Sequence, residues 1–150
     1  MIHMRQKYRR MWVLLFLLYL AGLSYFLFFS EGLGREAGET YRYNLEPLKE
    51  IRRFLLYRET LGWRAVFLNT AGNVIAFLPF GFFLPLILGR RMNVFAACLA
   101  GALFSLFIEL TQLWFRLGSF DVDDIILNTS GALIGYLLFR IFFRKGARHV

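Results

Sequence analysis

Five amide or carboxylate side chains stand inside long apolar runs of this sequence: Asn69, Asn73, Glu109, Gln112 and Asn128. A polar group left unsatisfied in hydrocarbon costs several kcal/mol, so such residues must pair with one another, face water or bind something. Glu109 is the most demanding of them. A central acid costs about 2.5 to 3.5 kcal/mol on insertion scales, and a carboxylate at depth has to be paired, protonated or water-facing. Near it in sequence lies the acidic segment Asp121-Val122-Asp123-Asp124. Carboxylates there have three readings: caps for the helix that follows, ligands for a hard cation, or acids and bases for catalysis. The segment lacks the glycine turn and distal glutamate of an EF-hand loop, so no metal is assigned.

The elements that must position these residues are membrane spans. Of the 150 residues, 58% are hydrophobic, and the mean hydropathy is +0.52; an ordinary soluble domain is about half apolar. Four apolar runs are long enough to cross a hydrocarbon core about 30 Å thick, at about 12–29, 65–88, 94–115 and 125–143. The first exceeds a signal-peptide core and ends in Ser30-Glu31-Gly32 without a small-x-small cleavage site, so it reads as a retained span. The second contains Pro79 and Pro85, which predict a kink. Between the first and second spans, segment 30–64 carries seven basic and six acidic residues. Within it Pro47 can open an interfacial amphipathic helix, with Leu48, Ile51, Phe54 and Leu55 on one stripe and Lys49, Arg52 and Arg53 facing away.

Basic residues set the orientation. Four lie at the N-terminus, two in the 89–93 loop and four around the C-terminus, against one, Arg116, in the 116–124 loop. The positive-inside rule then places both termini in the cytoplasm, with segment 30–64 and the acidic turn outside. The formal charge of +8 flanks apolar runs and belongs to headgroup contact rather than to nucleic acid. The single cysteine, Cys98, has no disulfide partner, and His3 and His149 sit at the termini, so neither a redox framework nor a histidine-based site is expected.

On the third span Ala97, Gly101, Ser105, Glu109, Gln112 and Arg116 recur at helical spacing, a stripe small at one end and polar at the other. On the fourth, Asp124, Asn128, Gly131 and Gly135 run the opposite way, and Gly131-x-x-x-Gly135 is a small-xxx-small packing motif. Asn69 and Asn73 share a face of the second span. At about 1.5 Å per residue the polar parts reach similar depth, which predicts a polar pocket among spans two, three and four, opening to the extracytoplasmic side. Its residues are Asn69, Asn73, Glu109, Gln112, Arg116, Asp121, Asp124 and Asn128, with Gly101, Ser105, Gly131 and Gly135 packing the helices.

Taken in order, Asn44-Leu45-x-Pro47, Asn69-x-x-x-Asn73, Phe77-x-Pro79-Phe80-Gly81, Glu109-x-x-Gln112, Phe120-Asp121-x-x-Asp124 and Asn128-Thr129-x-Gly131-x-x-x-Gly135-Tyr136 resemble the VanZ-like family pattern over about residues 44–143. Two positions depart from it: Leu48 stands where an aromatic often follows the proline, and Gly118 where many members have an arginine, with Arg116 close by. The resemblance implies a multipass protein of the bacterial cell membrane, with no established reaction, whose namesake is associated with teicoplanin-type lipoglycopeptide resistance. The leading expectation is a single domain without cofactor that binds a lipid headgroup or lipid-linked envelope component. Two alternatives stand beside it: a membrane enzyme using Glu109, Asp121 and Asp124 on a lipid-linked substrate, and a structural or partner-binding protein whose polar residues only fasten the bundle.

Overall fold

The computed structural model describes residues 2–29, 42–89 and 92–144. Residues 30–41, the first part of the extramembrane segment, lie outside the described residues, as do the flanking Arg90, Arg91, Lys145 and Arg148. The chain runs α1 (Ile2–Phe29), β1 (Arg42–Asn44), α2 (Lys49–Leu56), α3 (Arg58–Leu61), α4 (Trp63–Leu88), α5 (Val94–Phe115), β2 (Ser119–Asp121) and α6 (Val122–Arg144). Among the described residues four helices are long and apolar enough to cross a membrane, over Tyr8–Phe28, Val66–Leu88, Val94–Phe115 and Val122–Phe143. They turn large apolar side chains outward, among them Leu14, Leu18, Phe95, Phe107 and Ile141. Apolar surface on every helix is what a lipid solvent requires, and the protein is an all-α multipass membrane protein.

Small residues decide which helices meet. α6 packs most extensively on α4 and next on α5. A Cβ on Gly135 would lie 2.0 Å from the Leu78 carbonyl oxygen, one on Gly131 2.3 Å from that of Val74, and one on Gly81 1.8 Å from that of Ala132. Only glycine allows the α4 and α6 backbones to come this close, the van der Waals contact on which helix association in lipid depends. Gly101 of α5 faces Ala132, where a Cβ would meet the alanine Cβ at 2.7 Å.

An aromatic layer fills the interior between the remaining helices. Phe80 and Phe104 stack with centroids 4.9 Å apart, and Phe16 and Phe77 pack against Phe80. α1 joins through Leu23 and Leu27, both buried in this core, and through the Tyr19 hydroxyl, which donates to the Ala76 carbonyl at 2.7 Å. α4 continues as helix through Pro79 and Pro85. Asn93 opens α5 by accepting the Ala96 N–H at 2.8 Å.

The ends of the bundle differ in character. At one end Arg9 donates to the Ile87 carbonyl at 3.2 Å and the Tyr136 hydroxyl to the Met92 carbonyl at 3.2 Å. The other end gathers the C-termini of α1 and α5, the N-termini of α4 and α6, and the β1–α2 unit. Here the structure adds an element absent from the sequence expectation. β1 and β2 pair in parallel, with Arg42 opposite Ser119, Tyr43 opposite Phe120 and Asn44 opposite Asp121. A correction also falls here, because Pro47 does not open α2. It sits in a turn closed by the Lys49 N–H donating to the Glu46 carbonyl at 3.3 Å, and Leu48 adopts φ 65, ψ 8 before α2 starts at Lys49. Proline followed by a residue of positive φ is the pattern of a type II turn, in which proline presets the second position.

Candidate functional site

The stripe on α5 is turned into the protein. Ala97, Gly101, Ser105, Ile108, Glu109 and Gln112 are the buried residues of that helix. Arg116 leaves the stripe because α5 stops at Phe115; Arg116 is its C-cap, left-handed at φ 55 and exposed.

The polar residues are joined helix to helix. Glu109 is 2% exposed, and its Oε2 accepts the backbone N–H of Asp121 at 2.9 Å. Gln112 donates to the Leu27 carbonyl at 3.3 Å, which joins α5 to the last turn of α1. The Asn73 amide donates both to the Asn69 carbonyl, at 3.1 Å, and to Asp124 Oδ1, at 2.5 Å, which ties α4 to the first turn of α6. Asn69 itself is exposed on α4. Asn128 donates to Ser105 Oγ at 2.9 Å across the α5–α6 contact, with both residues buried. Asn128 Oδ1 is buried and has no hydrogen-bond donor among the described residues. The stripe on α6 thus divides its work: Asp124, Gly131 and Gly135 address α4, and Asn128 addresses α5.

The acidic segment also reaches outward, to the extramembrane part of the chain. Asn44 Nδ2 donates to Asp121 Oδ1 at 3.0 Å, beside the strand pairing that already places these two residues opposite each other. Asp121 Oδ1 further accepts the Asp123 N–H at 2.9 Å. Asp123, 1% exposed, accepts the N–H groups of Leu48, of Glu50 at 2.8 Å and of Ile51 at 3.1 Å. Those are the free donors at the start of α2. An anion belongs at such a terminus, and here a side chain of the last span supplies it. Of the three readings of this segment, capping holds twice: Asp121, the residue before α6, accepts the N–H of that helix's second residue, and Asp123 caps α2 instead of its own helix.

Burial pushes the Asp121 carboxyl above the ordinary aspartate value. The Asp123 N–H and the Asn44 amide draw it back, the charge of Asp123 pushes it up again and Arg53 lowers it. Glu50 is raised in the same way, first by burial and then by the charges of Asp121 and Asp123, with Arg53 and Lys49 acting against them. Among the described residues no group of three or more histidine, cysteine, aspartate or glutamate side chains has a geometry that could hold a metal ion.

Two residues central to this arrangement, Asn44 and Asp123, were not among the predicted site residues. For Asn44 a signal existed: an asparagine three residues before a proline, whose Oδ1 accepts the Glu46 N–H at 3.2 Å in a local turn.

The ordered set of Asn44, Asn73, Glu109, Gln112, Asp121, Asp124 and Asn128, now seen on one end of a single bundle, agrees with the comparison of the sequence with known families. The VanZ/LLP1 family model matches residues 16–143. The chain belongs to the VanZ/LLP1 family. No curated protein and no solved structure matches it. In this VanZ/LLP1 chain the match takes in α4, α5, nearly all of α6, the β1–β2 pair and the second half of α1. The matched range spans the residues of the clasp, Asn44, Asp121 and Asp123, that ties the extramembrane segment to the last span.

Proposed function

We propose that this VanZ/LLP1 protein sits in the bacterial cell membrane with both termini in the cytoplasm, and binds a lipid headgroup or lipid-linked envelope component at the extracytoplasmic leaflet. A contribution to teicoplanin-type resistance would follow from altered access of the drug to that component. The observation that carries this reading is Glu109, a carboxylate 2% exposed near the end of an apolar span and linked through Asp121 to the extramembrane clasp. Ionisable residues in membrane helices are expensive and are kept where they meet ligands, ions or partners. The basic residues Arg9 and Arg10 at the opposite end support the orientation.

A second reading has its own observation. Asn73 with Asp124, Ser105 with Asn128 and Gln112 with Leu27 each join two helices, which is what residues that only fasten a bundle would do.

Glu109→Gln and Asp124→Asn separate the two. Both variants keep hydrogen-bonding side chains of the same shape and lose the charge. Under the headgroup reading they insert and melt like the parent, but retain less bound lipid through purification and leave an expressing host more susceptible to a teicoplanin-type drug. Unchanged lipid content and susceptibility in correctly inserted variants would leave the fastening reading in its place.

A further inference from the structure

The face of α2 that points away from the bundle has a composition of its own. Lys49, Arg52, Arg53 and Leu56 fall at helical spacing on one side, and with Glu46, Pro47 and Leu48 they line an open groove of about 390 Å³ whose three cations outnumber its one carboxylate. The opposite side of α2 is spent on the protein, since Ile51 and Phe54 are half-buried there. Two of the three cations have carboxylate partners: Lys49 pairs with Glu46 at 2.9 Å and Arg53 with Glu50 at 2.9 Å. The Arg52 guanidinium has neither a hydrogen bond nor an ion pair among the described residues. Leu48 and Leu56 are 56% and 70% exposed beside it. An exposed guanidinium flanked by two ion-paired cations and edged by exposed leucines complements an anionic group that carries a hydrocarbon chain. The carboxylate of Asp123 already takes the N–H groups at the start of α2, so the side-chain cations, and not the helix terminus, are what the groove offers an anion.

We infer that the α2 groove is the docking point for the phosphate of a membrane lipid, with Arg52 as its principal contact, Lys49 and Arg53 flanking it, and Leu48 and Leu56 against the start of the hydrocarbon chain. The inference rests on the headgroup reading above and names the lipid class: a phosphate-bearing anionic lipid, held on the outside of the clasp. Asp123 is then a positioning residue, because it fixes the helix that carries the groove.

The test uses the full chain, purified in neutral detergent and titrated with phosphatidylglycerol or phosphatidylcholine, with bound lipid counted by native mass spectrometry. One phosphatidylglycerol is expected to bind in preference to phosphatidylcholine. Arg52→Ala should weaken it about fivefold, the value of one cation near an anionic surface. Arg58→Ala removes an equal charge from outside the groove and should change binding less than about twofold on the same scale. Equal losses in the two variants would mean diffuse surface charge and overturn the groove. Displacement of the lipid by millimolar inorganic phosphate would overturn the lipid as the source of the anion. Glu109→Gln in the same titration tells the two readings apart. Loss with Glu109→Gln but not with Arg52→Ala sinks the groove and keeps the headgroup reading. Loss with Arg52→Ala alone keeps the groove and reduces Glu109 to fastening.

Discussion

Asp123 accepts the backbone N–H of Glu50 at 2.8 Å across 73 residues of sequence, so the last span holds the first turn of a helix that precedes the second. Asp123→Ala removes the acceptor for three backbone donors. The expected cost is about 2 kcal/mol of local stability, read as faster amide exchange over residues 49–56 with little change in the spans. Asp123→Asn keeps one acceptor oxygen and should fall between the two.

The glycines of the α4–α6 contact predict a sharp contrast. Gly135→Ala puts a methyl group 2.0 Å from the Leu78 carbonyl oxygen, and the helices must separate, at roughly 2 kcal/mol or more. Gly22→Ala on α1 meets nothing within 4 Å and should be neutral or slightly stabilising, because alanine is the better helix former. Thermal melting in one detergent compares them. Equal melting temperatures would contradict the close packing.

Asn73 and Asp124 should be energetically coupled. A double-mutant cycle with Asn73→Ala and Asp124→Ala is expected to give a coupling energy of about 0.6 to 1.7 kcal/mol, the range measured between membrane helices. The pair Thr111 and Asp124, with no bond between them, serves as the reference near zero: the Thr111 hydroxyl donates within its own helix, to the Phe107 carbonyl.

The acidic clasp makes stability depend on pH. Burial raises the Asp121 carboxyl, so the folded protein holds that proton more tightly than the unfolded chain does. The stabilisation is complete below the ordinary aspartate value and is lost as pH rises through the raised one. Glu50 carries the same sign. The melting temperature should therefore decline as pH is raised from about 4, and Asp121→Asn combined with Glu50→Gln should flatten the decline.

The spans and the buried stripe of α5 were legible in the sequence because they obey one helical period: Ala97, Gly101, Ser105, Glu109 and Gln112 are all buried where spacing alone puts them. The glycines of α6 were legible for the same reason. The clasp was not. Its strands are three residues each, too short for an alternation to register, and their partners lie 77 residues apart. The cap that Asp121 gives α6 is legible locally, whereas the service of Asp123 to α2 is not, because local sequence shows only the nearest helix. Spacing likewise does not reveal that α5 ends at Phe115 and that Arg116 is its left-handed C-cap. Leu48 shows no composition signal for a left-handed turn, which usually calls for glycine.

The parallel pairing of β1 with β2 has a consequence for biogenesis. β1 leaves the ribosome well before β2, and Asp123, which closes α2, follows β2. Segment 42–56 therefore cannot reach its final shape while the second and third spans are being inserted, and completes only once the last span begins to enter the bilayer. Arrival of the C-terminal helix is the event that finishes the surface on the far side of the chain's first loop.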